Sequence, residues 1–172
     1  MADEKTNIPQ QQSQQIAPDM PVNIMAQYVR DLSFENPNTP DSLRNNNAQP
    51  EMEINIGMDA RKIPDPEIEY LYEVVLNLRA TAKRGETNLF LVELQYGALV
   101  SLQKEIPEDN HHPFLLIEIP RIIFPFARQI ISNVTTQGGY PPLMLNPVDF
   151  QALYMERFKD EIKAAQEENA QN

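Results

Sequence analysis

Carboxylates are the reactive groups this sequence offers in quantity. It holds 25 Asp and Glu residues against 14 Lys and Arg, two histidines and no cysteine. Many of the acids fall at alternate positions of polar–apolar runs: Asp31, Glu35, Glu51, Glu53, Asp59, Glu67, Glu69, Glu73 and Glu93. Paired carboxylates work as acid and base only where burial or crowding drives their pKa values apart. On an open strand face they stay ionised and solvated, which suits binding better than catalysis. The lack of cysteine excludes a disulfide framework, a thiolate metal site and a thiol nucleophile. His111 and His112 are adjacent, and adjacent side chains rarely converge on one ion without further ligands. There is no phosphate-cradling glycine loop and no serine in a nucleophile elbow. The chain therefore reads as a non-enzyme with neither metal nor cofactor.

The charge balance narrows the partners. A net charge of −11 argues against nucleic acid, because phosphate binding needs a basic surface. It favours solubility and attraction to basic partners. No run approaches the 18 or so apolar residues of a membrane span, and the stretch MADEKTNIPQQQSQQ lacks the apolar core of a secretory signal. A cytoplasmic protein without membrane insertion is expected. The length of 172 residues fits one domain with a real core. Residues 1–21 and 164–172 are polar, rich in Gln, Asn and Glu, and are expected to be disordered tails around a domain at 22–163.

The elements that would position the carboxylates are strands. Residues 22–35 alternate, with Val22, Ile24, Ala26, Tyr28, Leu32 and Phe34 on one face, interrupted by Arg30. The polar segment 36–50 carries three prolines and is too long for a hairpin, so the strands it joins need not be neighbours. Residues 51–59 alternate again, Met52, Ile54, Ile56 and Met58 against acids and Asn55. Arg61–Pro66 forms a turn, and a third strand starts at Ile68 and runs to Arg79. Lys83–Thr87 is a hairpin turn with Gly85 free to take a positive φ. It leads into Glu86–Tyr96, where Phe90, Val92, Leu94 and Tyr96 oppose Leu91 and Glu93. The acid-rich faces fit either plain solvation or an acidic docking plate, since like charges facing one another on a sheet are destabilising.

Two helices follow. The connection 103–119 is poorly patterned. The first helix is predicted to begin near Pro125 and stop at Gly138-Gly139, with Ile123, Phe126, Ala127, Ile130, Ile131 and Val134 on a broad apolar face. YPPLML at 140–145 is an extended link. Asn146 then reads as the N-cap of a second helix, with Pro147 at its first position and Asp149 in its first turn. That helix carries Phe150, Leu153, Tyr154, Phe158 and Ile162 on one side. The expected fold is α+β, four strands followed by two helices. Its apolar surface exceeds what so few ordered residues bury alone, which points to homo-oligomerisation and to an apolar groove for extended polypeptide. Val92, Leu94 and Tyr96 are expected to serve both core and assembly, and Phe126 and Ile130 on the first helix to serve subunit packing.

VRDLSFENPN, YLYEVVLNLRATA, LFLVELQYGALVSL and FPFARQIISNVTTQGGYPPLMLNPVDFQALYM resemble the SecB family of protein-export chaperones, over roughly Val22–Phe158. The resemblance implies an ATP-independent homotetramer, a dimer of dimers, that keeps precursor proteins unfolded and hands them to the SecA ATPase. It implies a four-stranded antiparallel sheet with the two helices packed on one side, a crossover loop that sets the first strand beside the fourth, and a first helix at the interface between dimers. Matched to the family, the SecA-binding residues fall on Asp31, Glu35, Leu91 and Glu93. The client surface falls on Met52, Ile54, Ile56, Tyr140, Leu143, Phe150, Leu153 and Tyr154. An adaptor that binds a basic partner through the acidic face, without holding clients, is the competing reading. The Gln-rich N-terminus and the 103–119 connection depart from the family pattern.

Overall fold

Alternation forces the first half of the chain into four antiparallel strands, and the computed structural model describes residues 21–44, 49–160 and 163. The tails predicted at 1–21 and 164–172 lie outside the described residues, apart from Pro21. Strands β1 (Val22–Glu35), β2 (Glu51–Lys62), β3 (Leu71–Arg84) and β4 (Thr87–Leu102) form one sheet in the order β1-β4-β3-β2. The segment after β1, which holds the short helix α1 (Asp41–Arg44), crosses over so that β1 lies against β4. β3 and β4 meet at a tight turn where Gly85 takes φ +56°, as the hairpin reading requires.

Helix α2 (His111–Gln137) and helix α3 (Phe150–Arg157) lie on one face of the sheet. Leu115, Leu116, Ile119, Ile123, Ala127 and Ile131 of α2 are buried at helical spacing against Val74, Leu76, Leu78, Val92, Leu94 and Val100. Each of the larger side chains contributes about 1.5–3 kcal/mol by leaving water. This stripe corrects the predicted start of the helix near Pro125. The buried face continues upstream through Leu115, so α2 begins at His111 and carries Pro120 and Pro125 inside it. Each proline removes one backbone hydrogen bond, and packing along the whole stripe outweighs that loss. Pro113 sits in the first turn, where no intrahelical partner is lost. The helix ends at Gly138, whose Cα faces the ring of Phe34, and Gly139 follows at φ +88°.

Other boundaries shift for local reasons. β2 runs on to Lys62, and β3 starts at Leu71 rather than Ile68, because the Asp65 carboxylate accepts from the amides of Glu67 and Ile68 and holds them in a turn. Asp149, not Asn146, caps α3; its carboxylate accepts from the Ala152 amide at 3.0 Å. In β1 the register slips twice, between Ile24 and Ala26 and between Val29 and Asp31. Each slip is a bulge that adds one residue and switches faces. The predicted parity of β1 is therefore wrong in its middle: Val29 pairs with Tyr96, while Tyr28 pairs with Gly97 on the other face.

Candidate functional site

The face of the sheet without helices carries the acids, and its register can be read in rows. Glu35 pairs with Leu91, Leu91 with Thr81, and Thr81 with Glu53. The next row is Ser33, Glu93, Arg79 and Asn55, and the next Asp31, Gln95, Asn77 and Gly57. Asp31, Glu35, Leu91 and Glu93 thus occupy three successive rows on two adjacent strands. Leu91 is half-buried between the exposed Glu35 and the partly exposed Glu93. Arg79 reaches Glu93 at 3.3 Å and Lys83 reaches Glu53 at 3.7 Å, both in solvent. Asp31 and Glu35 make no ion pair among the described residues. Two bases against Asp31, Glu35, Glu51, Glu53 and Glu93 leave this end negative around one apolar side chain.

At the other end of the same face the acids are met by arginines. Glu73 is 6% exposed and accepts a short hydrogen bond from the Tyr28 hydroxyl and one of 2.5 Å from Arg61 Nε, with Arg30 at 3.5 Å. The Tyr28 hydroxyl, followed by the two guanidiniums, holds the Glu73 carboxyl below its ordinary pKa against the opposing effect of burial. Burial and the adjacent Glu73 raise that of Tyr28. Gly97 lets the Tyr28 ring lie flat on β4, since a Cβ there would stand 2.6 Å from Tyr28 Cε2. Neither plain solvation nor an acidic plate describes the whole face. Glu73 is locked, and Glu67 and Glu69 precede β3, with Glu69 paired to Lys104 at 2.8 Å. Sequence reasoning missed Arg61 because its pairing with Glu73 follows from the β2–β3 register.

The helix side offers an apolar groove of about 470 Å³, where Ile54 and Ile56 of β2 face Val148, Leu153 and the Leu145–Pro147 turn. Met52 is 36% and Ile54 43% exposed. Three of the residues predicted for client contact therefore line one groove: Ile54, Ile56 and Leu153. Two others do not offer free surface. Phe150 is 1% and Tyr154 8% exposed, packed in the core between the helices, so they back the groove. The hydroxyl of Tyr140 joins Asn36, Ser42 and Leu89, binding the crossover to β4, and its ring packs on Phe90. Leu143 is half-buried, its amide donating to Thr135 Oγ1.

Of the residues predicted for subunit packing, Val92, Leu94 and Tyr96 are 0%, 1% and 8% exposed. α2 covers them within the chain, leaving them no area for a second copy. Phe126 is 52% exposed and Ile130 half-buried on the outer side of α2, and the first bulge in β1 adds Val29, 46% exposed, to Leu32 at 40%. The two histidines diverge. His111 is buried between the Tyr72 hydroxyl and the Ile106 carbonyl, whereas His112 meets the Tyr154 hydroxyl. Among the described residues no three His, Asp or Glu side chains are grouped to hold a metal, and no helix is long and apolar enough to cross a membrane.

The family model described as "Preprotein translocase subunit SecB" matches residues 10–161. The chain is 44% identical over 156 residues to the protein-export protein SecB of Cereibacter sphaeroides (strain ATCC 17029), covering 87% of this chain and 92% of that protein. It is 46% identical over 135 residues to the protein-export protein SecB of Rhodospirillum centenum, covering 78% of each. Among solved structures, it is similar to a Mycobacterium tuberculosis SecB-like chaperone in complex with a ChAD peptide from an antitoxin. The TM-score is 0.57 and the identity 13%, over 74% of this chain and 90% of that one, a likeness of fold.

Proposed function

The chain belongs to the SecB family of preprotein translocase subunits, and on that footing we propose that it is an ATP-independent chaperone that holds unfolded precursor proteins and delivers them to the SecA translocation ATPase. The observation that carries the reading is the segregation of two surfaces by strand parity. The groove at Ile54, Ile56 and Leu153 lies on the helix side, and the acidic end at Asp31, Glu35, Leu91 and Glu93 lies on the bare side. The groove, with Met52 and Leu143 beside it, holds the client. The acidic end docks SecA, with Leu91 as apolar anchor inside a ring of carboxylates.

Selectivity for unfolded clients needs no sequence code. A folded protein cannot lay a long extended apolar segment into a groove, and a nascent chain can. The working unit is a cytoplasmic homotetramer, a dimer of dimers, whose copies pack through the outer side of α2 at Phe126 and Ile130 and the uncovered part of β1 at Val29 and Leu32. Several weak grooves on one particle then bind a long client with avidity. The chain's charge of −11 keeps an assembly with exposed apolar grooves dispersed.

Light scattering tests the reading. A denatured protein diluted into stoichiometric purified tetramer, without nucleotide, should remain soluble. Unchanged aggregation would remove client holding and leave the adaptor reading, in which only the acidic face binds.

A further inference from the structure

The bare sheet face is bipolar. About six residues along β4 from Glu93, at the row of Leu99, Glu73 and Arg61, the sign of the surface changes. A strand rises about 3.4 Å per residue, so that row stands roughly 20 Å from Glu93 and roughly 14 Å from the row of Asp31 and Gln95. Arg30, Arg61 and Arg157 gather there against Glu73 and Asp59, and Arg157 already holds Asp59 at 2.9 Å. Arg30 and Arg61 share the single carboxylate of Glu73, yet their side chains are 46% and 64% exposed. Each guanidinium carries five N–H donors, and one carboxylate cannot occupy both sets. Between them lies a cavity of about 170 Å³, bordered also by Asn77, Gln95 and the Arg157-paired Asp59, with room for a carboxylate.

The local construction fixes these two arginines in place. Arg30 is the extra residue of the second β1 bulge, and bulges re-aim side chains. Without the slip between Val29 and Asp31, Arg30 and Asp31 would point to opposite faces. Buried Glu73, held from above by Tyr28, anchors both guanidiniums on the face.

We propose that this face takes one polypeptide segment of its docking partner in a fixed direction, the basic part on the Asp31–Glu93 end and a carboxylate, roughly six extended residues away, on Arg30 and Arg61. The inference rests on the docking reading above and adds to it the partner's charge pattern and orientation. Opposite charges at the two ends discriminate a segment from its reverse, because the wrong direction sets acid against acid and base against base.

Peptide titrations at low salt test it. Two basic peptides, one with a glutamate six residues after its Lys/Arg cluster and one with it six residues before, are compared with their glutamine counterparts. One order should bind about three- to fivefold tighter than its glutamine control, the scale of one exposed ion pair, and the other should gain nothing. That gain should vanish in Arg30→Gln, which leaves Glu73 its Tyr28 and Arg61 hydrogen bonds, and in Arg61→Gln. No gain in either order, an equal gain in both, or a gain that survives both substitutions would overturn the proposal. The wild-type comparison varies only the peptide, so it stands even where a variant folds poorly. If the glutamine peptides themselves do not bind, the docking reading fails first.

Discussion

The two faces of the sheet are made from the same strands and do opposite work. On the covered face, Val92, Leu94, Val100 and Leu76 vanish under α2, and their value is to stability. On the bare face, Leu91, Glu93, Gln95 and Arg79 alternate with them and remain in solvent or at its edge. Moving one residue along β4 takes a side chain from the packed core to the solvent side of the sheet. A sheet with helices on one side can therefore vary its partner surface without touching its core.

That division is easiest to break at the core. Leu94→Ala should lower unfolding free energy by about 3 kcal/mol, because a fully buried leucine leaves a cavity behind. Its neighbour Glu93→Gln should stay within about 0.5 kcal/mol of the wild type. Urea denaturation of the two variants measures the contrast, and equal losses would mean that the faces are not separate.

Glu73 is the exception that sharpens the comparison, a bare-face residue buried like a core one. Glu73→Gln should cost about 1–3 kcal/mol at neutral pH, since it weakens the bonds to Tyr28 and both arginines in a desolvated place. The sign of its pH dependence follows from the lowered carboxyl pKa, due first to Tyr28 and then to Arg61 and Arg30. The unfolded chain takes up the proton first, so the stabilisation is complete above the ordinary value of 4.5 and is lost as pH falls through the lower folded value. Acid denaturation curves should lose that part of their slope in Glu73→Gln and keep it in Glu93→Gln.

Binding variants give smaller effects, each confined to one side. Glu93→Lys, which also sets a second cation against Arg79, should weaken SecA binding about tenfold and leave client holding intact. Ile54→Asp should weaken the capture of an unfolded protein about fivefold, by removing apolar area from the groove, with SecA binding unchanged. Fluorescence titrations of both ligands against both variants separate the surfaces.

Much of this plan is legible in the residues. Period-two alternation gives all four strands, and the 36–50 segment, too long for a hairpin, permits the β1–β4 pairing that the SecB resemblance implies. Leu91, Glu93, Asp31 and Glu35 show as acid-face positions because β4 has no bulge beyond Phe90 and Asp31–Glu35 lies past the second bulge of β1. What stays hidden is what depends on distant partners. Arg30 marks a break in β1, but only the register with β4 reveals the earlier slip at Met25, which turns Tyr28 and Val29 over. Prolines 120 and 125 look like a helix start, and only the sheet beneath them shows why the helix tolerates both. Phe150 and Tyr154 have the right chemistry for a groove, and burial decides that they support it from behind. Apolar patterning tells which residues share a face, never how much of that face the rest of the chain covers.

The central claim is that holding and docking occupy separate surfaces of one chain. Native mass measurement of the protein mixed with a permanently unfolded, alkylated polypeptide and a Lys/Arg-rich peptide tests it directly. Separate surfaces give one species carrying both ligands at once, with the peptide alone lost in Glu93→Lys. Mutual displacement, each ligand excluding the other from the same particle, would contradict it.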